Sequence, residues 1–199
     1  MSAATNERQV GIGIIGLGRH GERYANHTLA GDAPGARLVA VQRRDAAQGQ
    51  AFAEEHGLRF HADADALLAD PAVDAVIITT PTKQHLPMAE LAVAAGKHIL
   101  CEKPMARSVA ECRAMRDAAR NAGLQATIGQ TMRFAPILGV LRDKLPDVGD
   151  LYALHACMRQ ERSPTAWHMD ADLAGGGVVV EVGVHLFDAV RYLIGRNFT

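Results

Sequence analysis

The stretch Val10–Tyr24, VGIGIIGLGRHGERY, fits the pattern G-x-G-x-x-G in two registers. Gly11, Gly13 and Gly16 satisfy it, and so do Gly16, Gly18 and Gly21. Only one triplet can be the turn between a strand and the helix that follows it. In the first, Ile12, Ile14 and Ile15 occupy the intervening positions, and such side chains bury in a sheet rather than expose backbone N–H groups. In the second, an apolar strand has just ended and a helix-patterned segment begins at Arg19. Gly16 then makes the tight turn, Gly18 leaves room for a phosphate against the backbone, and Gly21 lets helix and strand pack closely. The helix N-terminus adds unpaired N–H groups and the positive end of its dipole. Gly16, Leu17, Gly18, Arg19, His20 and Gly21 are therefore the expected phosphate turn.

Working outward, apolar strand segments alternate with helical ones. Strands are expected at 10–15, 36–44, 74–80, 97–101 and 125–130, and helices at 18–30, 45–57, 84–96 and 108–123. The helix at 108 opens with a capping box, in which Ser108 and Glu111 can satisfy each other's backbone donors. This alternation predicts an α/β fold, a Rossmann-type doubly wound parallel sheet over residues 1–130. Beyond it the pattern changes. A helix is expected at 136–145, a long period-two strand over DLYALHACMRQ (150–160), loop signals at 161–177 and a helix over 178–195. Residues 131–199 read as an incomplete α+β domain, too short to cover a sheet of its own.

The chain has 199 residues, 48% of them apolar, and a formal net charge of -1. Such a balance gives no field to steer it onto nucleic acid or an anionic membrane. Cys101, Cys112 and Cys157 show no C-x-x-C spacing, so reduced thiols in a cytoplasmic protein are expected, with no zinc or disulfide framework. The polar start MSAATNERQ does not read as a secretory signal, and the apolar runs read as too short to cross a bilayer.

At the end of the second strand, where an acid that binds a ribose 2′-hydroxyl is usual, stand Gln42, Arg43 and Arg44. Two guanidiniums there can pair with a 2′-phosphate, which favours NADP over NAD. The other reading is two solvated arginines beside a helix N-cap at Asp45.

Glu102-Lys103-Pro104 lies at the carboxyl end of the strand KHILC, where ligands sit in open parallel sheets. The segments GLGRHG, ITTPTKQH, AAGKHILCEKPMA and GGGVVVEVGVHLFD, in this order, resemble the Gfo/Idh/MocA family, which includes glucose–fructose oxidoreductase and inositol dehydrogenases. The resemblance covers nearly the whole chain. It implies a Rossmann domain followed by an α+β domain that often mediates oligomerisation, here as a homo-oligomer. The implied activity is NAD(P)-dependent oxidation of a sugar or polyol hydroxyl, or reduction of the ketone. Lys103 matches the family's catalytic lysine and His185 its late catalytic histidine. Glu181 stands where the family usually has Asp; four residues before His185, it would share a helix face with it and hydrogen-bond to it. Thr80, Pro81 and His85 match the loop that lines the cofactor, with Glu102 beside them. Arg133 matches a position near nicotinamide or substrate, so Lys103, Arg133, Glu181 and His185 are the implied substrate contacts. Trp167 resembles a tryptophan often found before the GGG segment. His185 taken alone reads as a core histidine, and Glu181 with His185 lacks a third ligand for a metal. Family members continue well past the position of Thr199. A catalytically silent NADP-binding fragment or sensor, and a redox-neutral relative, are thus alternatives to the enzyme.

Overall fold

A computed structural model describes residues 8–159 and 166–197. Six parallel strands form one sheet: β1 (Val10–Ile15), β2 (Ala36–Gln42), β3 (Arg59–His61), β4 (Ala75–Ile78), β5 (His98–Cys101) and β6 (Ala126–Ile128). Their order is β3-β2-β1-β4-β5-β6, every pairing parallel. The chain builds outward from β1 to β3, then returns to β4 on the other side of β1. That reversal opens a crevice at the carboxyl ends of β1 and β4, where such sheets hold ligands. The helices between strands are α1 (Arg19–Leu29), α2 (Ala46–His56), α3 (Ala64–Leu68), α4 (His85–Ala94) and α5 (Val109–Asn121).

β1 is buried on both faces. Ile15, Val76, Ile78, Leu67 and Met115 form one apolar cluster. Ile14, Leu38, Val41 and Ile77 form the other. Two-sided burial explains the unbroken β-branched run in β4 and why β1 carries small residues among its isoleucines. A Cβ on Gly11 would lie 1.9 Å from the Ala72 carbonyl oxygen, and one on Gly13 would lie 2.7 Å from Leu67 Cδ2. The first glycine register is thus a packing feature of the strand. The second is the turn: Gly16 has φ +91°, a conformation that favours glycine, and Gly18 precedes α1 as its cap.

Several expectations change. The sequence reading did not anticipate β3 and α3, which are short; Asp63 caps α3 by accepting from the Ala66 N–H at 2.8 Å. The capping box at α5 is half formed. Ser108 Oγ accepts from the Glu111 N–H at 3.2 Å, but Glu111 Oε2 takes the Arg107 N–H at 2.9 Å instead of returning to Ser108. The long strand expected at 150–160 is absent over 150–159, which is irregular and largely exposed, and residue 160 lies outside the described residues. No strand follows β6 among the described residues, so nothing pairs with it. The second part is instead α6 (Pro136–Lys144), a short helix α7 (Ala171–Ala174), a π turn (Val179–Gly183) and α8 (Val184–Ile194). The loop signals at 161–165 also fall outside the described residues.

The apolar runs are longer than expected. The helical run Ala171–Ile194 reaches a mean hydropathy of 1.5, long and apolar enough by composition to cross a membrane. Its polar groups nevertheless point to other parts of the protein. Asp188 on α8 accepts two hydrogen bonds from Arg133, at 2.6 and 2.7 Å.

The glycine contacts predict opposite signs for two alanine substitutions. Gly11→Ala drives a methyl into backbone and destabilises the chain by about 2 kcal/mol or more. Gly139→Ala, inside α6 with nothing within 4 Å of its Cβ position, stabilises by about 0.5–1 kcal/mol. Urea unfolding of both variants beside the parent chain measures the two shifts.

Candidate active site

The site forms where the phosphate turn, the end of β4, the end of β5 and the π turn converge. Gly16 seats the turn: a Cβ there would lie 3.0 Å from the Thr80 amide nitrogen, and a Cβ on Gly21 would lie 2.9 Å from the Gly16 carbonyl oxygen. Thr79 Oγ1 donates to the Gly16 carbonyl at 2.8 Å, and the Leu17 N–H donates to the Gln42 carbonyl at 2.8 Å. Gln42, in the usual place of the ribose-binding acid, uses its Oε1 to accept from the Gly16 N–H at 3.1 Å. Around Gly18 there is open space, its Cβ position meeting only the Gly16 oxygen at 4.0 Å.

Glu102 and Lys103 follow β5 directly. Glu102 is fixed from two sides: Tyr24 Oη donates to Oε1 at 2.8 Å and the Lys103 N–H donates to Oε2 at 2.9 Å. Burial, then the Glu102 charge, push the Tyr24 hydroxyl well above its ordinary range, so it stays a donor. Lys103 Nζ reaches across the crevice and donates to the Glu181 carbonyl oxygen at 3.3 Å. One pocket is lined by His20, Thr80, Glu102, Lys103, Trp167, His168 and Glu181, with Thr79 and Thr82 at its edge. Its free space is about 30 Å³, room for one or two waters. Trp167 and His168 belong to the turn Ala166–Met169.

Glu181 does not pair with His185 as its spacing suggested. It lies in the π turn Val179–Gly183, whose i→i+5 bonds widen the helix, so residues four apart no longer stack. Its carboxylate meets His168 instead, Nδ1 to Oε1 at 2.6 Å. His168 also stands edge-on to Trp167, with ring centroids 3.9 Å apart. His185 is half-buried beside the site, and neither its Nδ1 nor that of His168 makes a well-directed hydrogen bond among the described residues.

Three imidazoles share the field of Lys103. Burial lowers the pKa of His20, His168 and His185, and Lys103 lowers each further. Glu102 opposes this at His20 and His185, and Glu181 opposes it at His168. All three rings are therefore predominantly neutral at pH 7.

Other expected site residues sit elsewhere. His85 does not line the pocket: it is 1% exposed, its ring nitrogens 2.9 Å from the Thr80 carbonyl and 2.8 Å from the Pro104 carbonyl. Pro81 leads into the short turn Thr82–Gln84. Arg133 is held by Asp188 and lies 5.8 Å from the Tyr192 ring centroid, away from the pocket. Its work is to fasten α8. Arg19 is exposed at the start of α1, and Leu17 is buried in the core. Arg43 contacts Glu22 at 2.6 Å and also bonds Gln48, while Arg44 is exposed. Sequence reasoning missed His168 and Tyr24. His168 lies in the short turn Ala166–Met169, and no spacing rule joins it to Glu181. Tyr24, six residues beyond Gly18 on the helix of the phosphate turn, could have been read as facing β5 from the α1 periodicity.

Residues 10–130 match the oxidoreductase family with an NAD-binding Rossmann fold, and residues 146–199 match the GFO/IDH/MocA C-terminal domain. Scyllo-inositol 2-dehydrogenase (NAD(+)) of Bacillus subtilis is 31% identical over 196 residues, covering 97% of this chain and 56% of the relative. The structure of GenD2 from gentamicin A biosynthesis, in complex with NAD, superposes with a TM-score of 0.87 at 29% identity, over 94% of this chain and 54% of that one. KijD10, a 3-ketoreductase from Actinomadura kijaniata in complex with NADP and TDP-benzene, gives 0.85 at 25% identity, over 94% and 57%. The chain thus spans little more than half the length of the relatives it matches. With both parts matched and the phosphate turn and Lys103 brought to one crevice, the chain belongs to the GFO/IDH/MocA oxidoreductase family.

Proposed function

We propose that the chain carries the cofactor and catalytic residues of an NAD(P)-dependent dehydrogenase or reductase. Its substrate is a sugar, polyol or inositol-like compound with a secondary hydroxyl or the corresponding ketone. The observation that carries this reading is Lys103 at the carboxyl end of β5, in one pocket with His20 of the phosphate turn and Glu181 of the second part.

The residues present fit a dinucleotide. The α1 N-terminus and the open space at Gly18 suit a pyrophosphate, and Thr80 offers a buried Oγ1 with no partner among the described residues. When bound, the nicotinamide supplies the hydride acceptor or donor. The chain's own side chains do the rest. Lys103 holds the substrate oxygen and stabilises it as it becomes an alkoxide; a neutral imidazole beside it accepts the hydroxyl proton. Tyr24 and the Lys103 N–H keep Glu102 fixed, so Lys103 has a defined origin for its reach.

We assign the cofactor preference to NADP. Arg43 and Arg44 stand at the end of β2, and a 2′-phosphate would compete with Glu22 for Arg43 while Arg44 is free to approach from the surface. The cytoplasmic setting and a homo-oligomeric assembly through the second part belong to the same reading.

Lys103→Met is expected to reduce turnover by about 10²–10⁴-fold with cofactor affinity largely unchanged. Steady-state rates on a polyol and sugar panel, beside fluorescence titration with NADPH, check both halves; an active variant defeats the role. NADPH is expected to bind about tenfold tighter than NADH, the worth of one charge-assisted hydrogen bond. Arg43→Gln with Arg44→Gln removes that difference. Equal affinities in the parent chain would exclude the arginine argument.

A further inference from the structure

We propose that Glu22, on the first turn of α1, sets how strongly the chain prefers NADP over NAD, by holding Arg43 until a 2′-phosphate displaces it. The inference rests on the dinucleotide reading above. It adds a specificity residue from α1, whereas the usual determinant stands at the end of the second strand.

Three observations carry it. First, the strand end has no carboxylate to offer a ribose. Gln42 stands in the acid's place, and both ends of its amide are used: Oε1 accepts from the Gly16 N–H at 3.1 Å, and Nε2 donates to the Ala62 carbonyl at 3.3 Å. Asp45 is spent on the cap of α2, accepting from the Gln48 N–H at 3.1 Å and from Gln48 Nε2 at 2.7 Å. The carboxylate that reaches this corner with a charge to spare comes from α1: Glu22 Oε1 lies 2.6 Å from Arg43 Nη1. The Glu22 N–H donates to the Gly18 carbonyl at 2.8 Å, which puts this acid one turn from the open space that suits a pyrophosphate.

Second, Arg43 is committed before any cofactor arrives. Nη1 binds Glu22, and Nη2 donates to Gln48 Oε1. Its stem is packed as well, since a Cβ on Gly49 would lie 3.0 Å from Arg43 Cβ. A guanidinium with both fork nitrogens engaged takes a phosphate only by exchanging partners. Arg44, in contrast, is exposed and makes no ion pair among the described residues.

Third, the two competing partners differ in strength. The Glu22 side chain is 41% exposed, and solvent screens such a pair. A phosphomonoester carries close to two negative charges and presents three acceptor oxygens to the same fork. The phosphate therefore wins Arg43, but at a cost, because the displaced carboxylate stays beside the incoming anion. NAD has a 2′-hydroxyl there, demands no exchange and leaves the Glu22–Arg43 pair intact. Glu22 thus acts on one cofactor: it weakens NADP binding and spares NAD binding.

The test is fluorescence titration with NADPH and NADH at one ionic strength, on the 199-residue chain, Glu22→Gln, Arg43→Gln and the double variant. Glu22→Gln should bind NADPH about three- to tenfold tighter, the scale of a partly exposed ion pair, while NADH affinity moves by less than about twofold. In the Arg43→Gln background the same substitution should gain less than about twofold, because no guanidinium is left to release. NADH affinity also checks that each variant is folded. An equal gain for both dinucleotides, or a gain that persists in full without Arg43, overturns the exchange. Unchanged NADPH affinity in Glu22→Gln, with a parent preference for NADPH that Arg43→Gln reduces, overturns Glu22 alone and leaves the cofactor assignment standing. If the parent chain binds both dinucleotides equally, the NADP assignment fails; a tighter hold on NADPH alone in Glu22→Gln still supports Glu22, and its absence overturns both. A chain that binds neither dinucleotide overturns the dinucleotide reading and this role with it.

Discussion

Gly16 lies so close to the end of β4 that a single methyl group on it would press on the Thr80 amide nitrogen at 3.0 Å. That proximity ties the first strand–helix unit to the fourth strand across the point where the sheet reverses direction. Thr79 closes the gap by donating to the Gly16 carbonyl, and Gln42 holds the turn from the β2 side. A phosphate turn fixed on both flanks keeps the α1 N–H groups aimed into the crevice without help from a ligand. The rest of the site is referred to this frame: Tyr24 leaves the same helix to hold Glu102, and Glu102 is followed at once by Lys103.

Electrostatics then divide the labour around Lys103. Burial and the lysine charge together disfavour protonation of His20, His168 and His185, leaving neutral imidazoles next to a fixed cation. Such an arrangement suits accepting a proton in one direction of reaction and returning it in the other. The two glutamates act differently. Glu102 is consumed by a tyrosine and a backbone N–H, so it is a structural anchor. Glu181 keeps its carboxylate for an imidazole.

How much of this was legible depended on whether a residue's role is local. The second glycine register, every strand of the sheet except the short β3, and the position of Lys103 follow from periodicity and turn chemistry, which act over a few residues. The strand expected at 150–160 failed because a period-two pattern specifies a strand only when a neighbour can pair with it, and among the described residues none does. The Glu181–His185 pair failed because the helix there is a π turn, and i, i+4 spacing presumes an α-helix. The Arg133–Asp188 pair was not legible either, because its two hydrogen bonds join segments 55 residues apart. His168 was invisible for the same reason: its partner lies in a different segment and meets it only after folding.

His85 shows how the two loops that bear the site are joined. Its ring lies between the carbonyl of Thr80, on the β4 side, and that of Pro104, on the Lys103 side, at 2.9 and 2.8 Å. A neutral imidazole has one N–H, so it can donate to only one of these oxygens while its other nitrogen faces the second with a lone pair. Donating to both requires the protonated ring, which burial disfavours and which the two carbonyls, then Glu102, favour. Burial prevails and the pKa is lowered, so at neutral pH the ring alternates its single proton between the loops or commits it to one. Either way the loop of Thr80 and the turn of Lys103 share one buried side chain. The Thr80 loop and the Lys103 turn are thus joined through packing and one buried hydrogen bond, so neither shifts without disturbing the His85 ring.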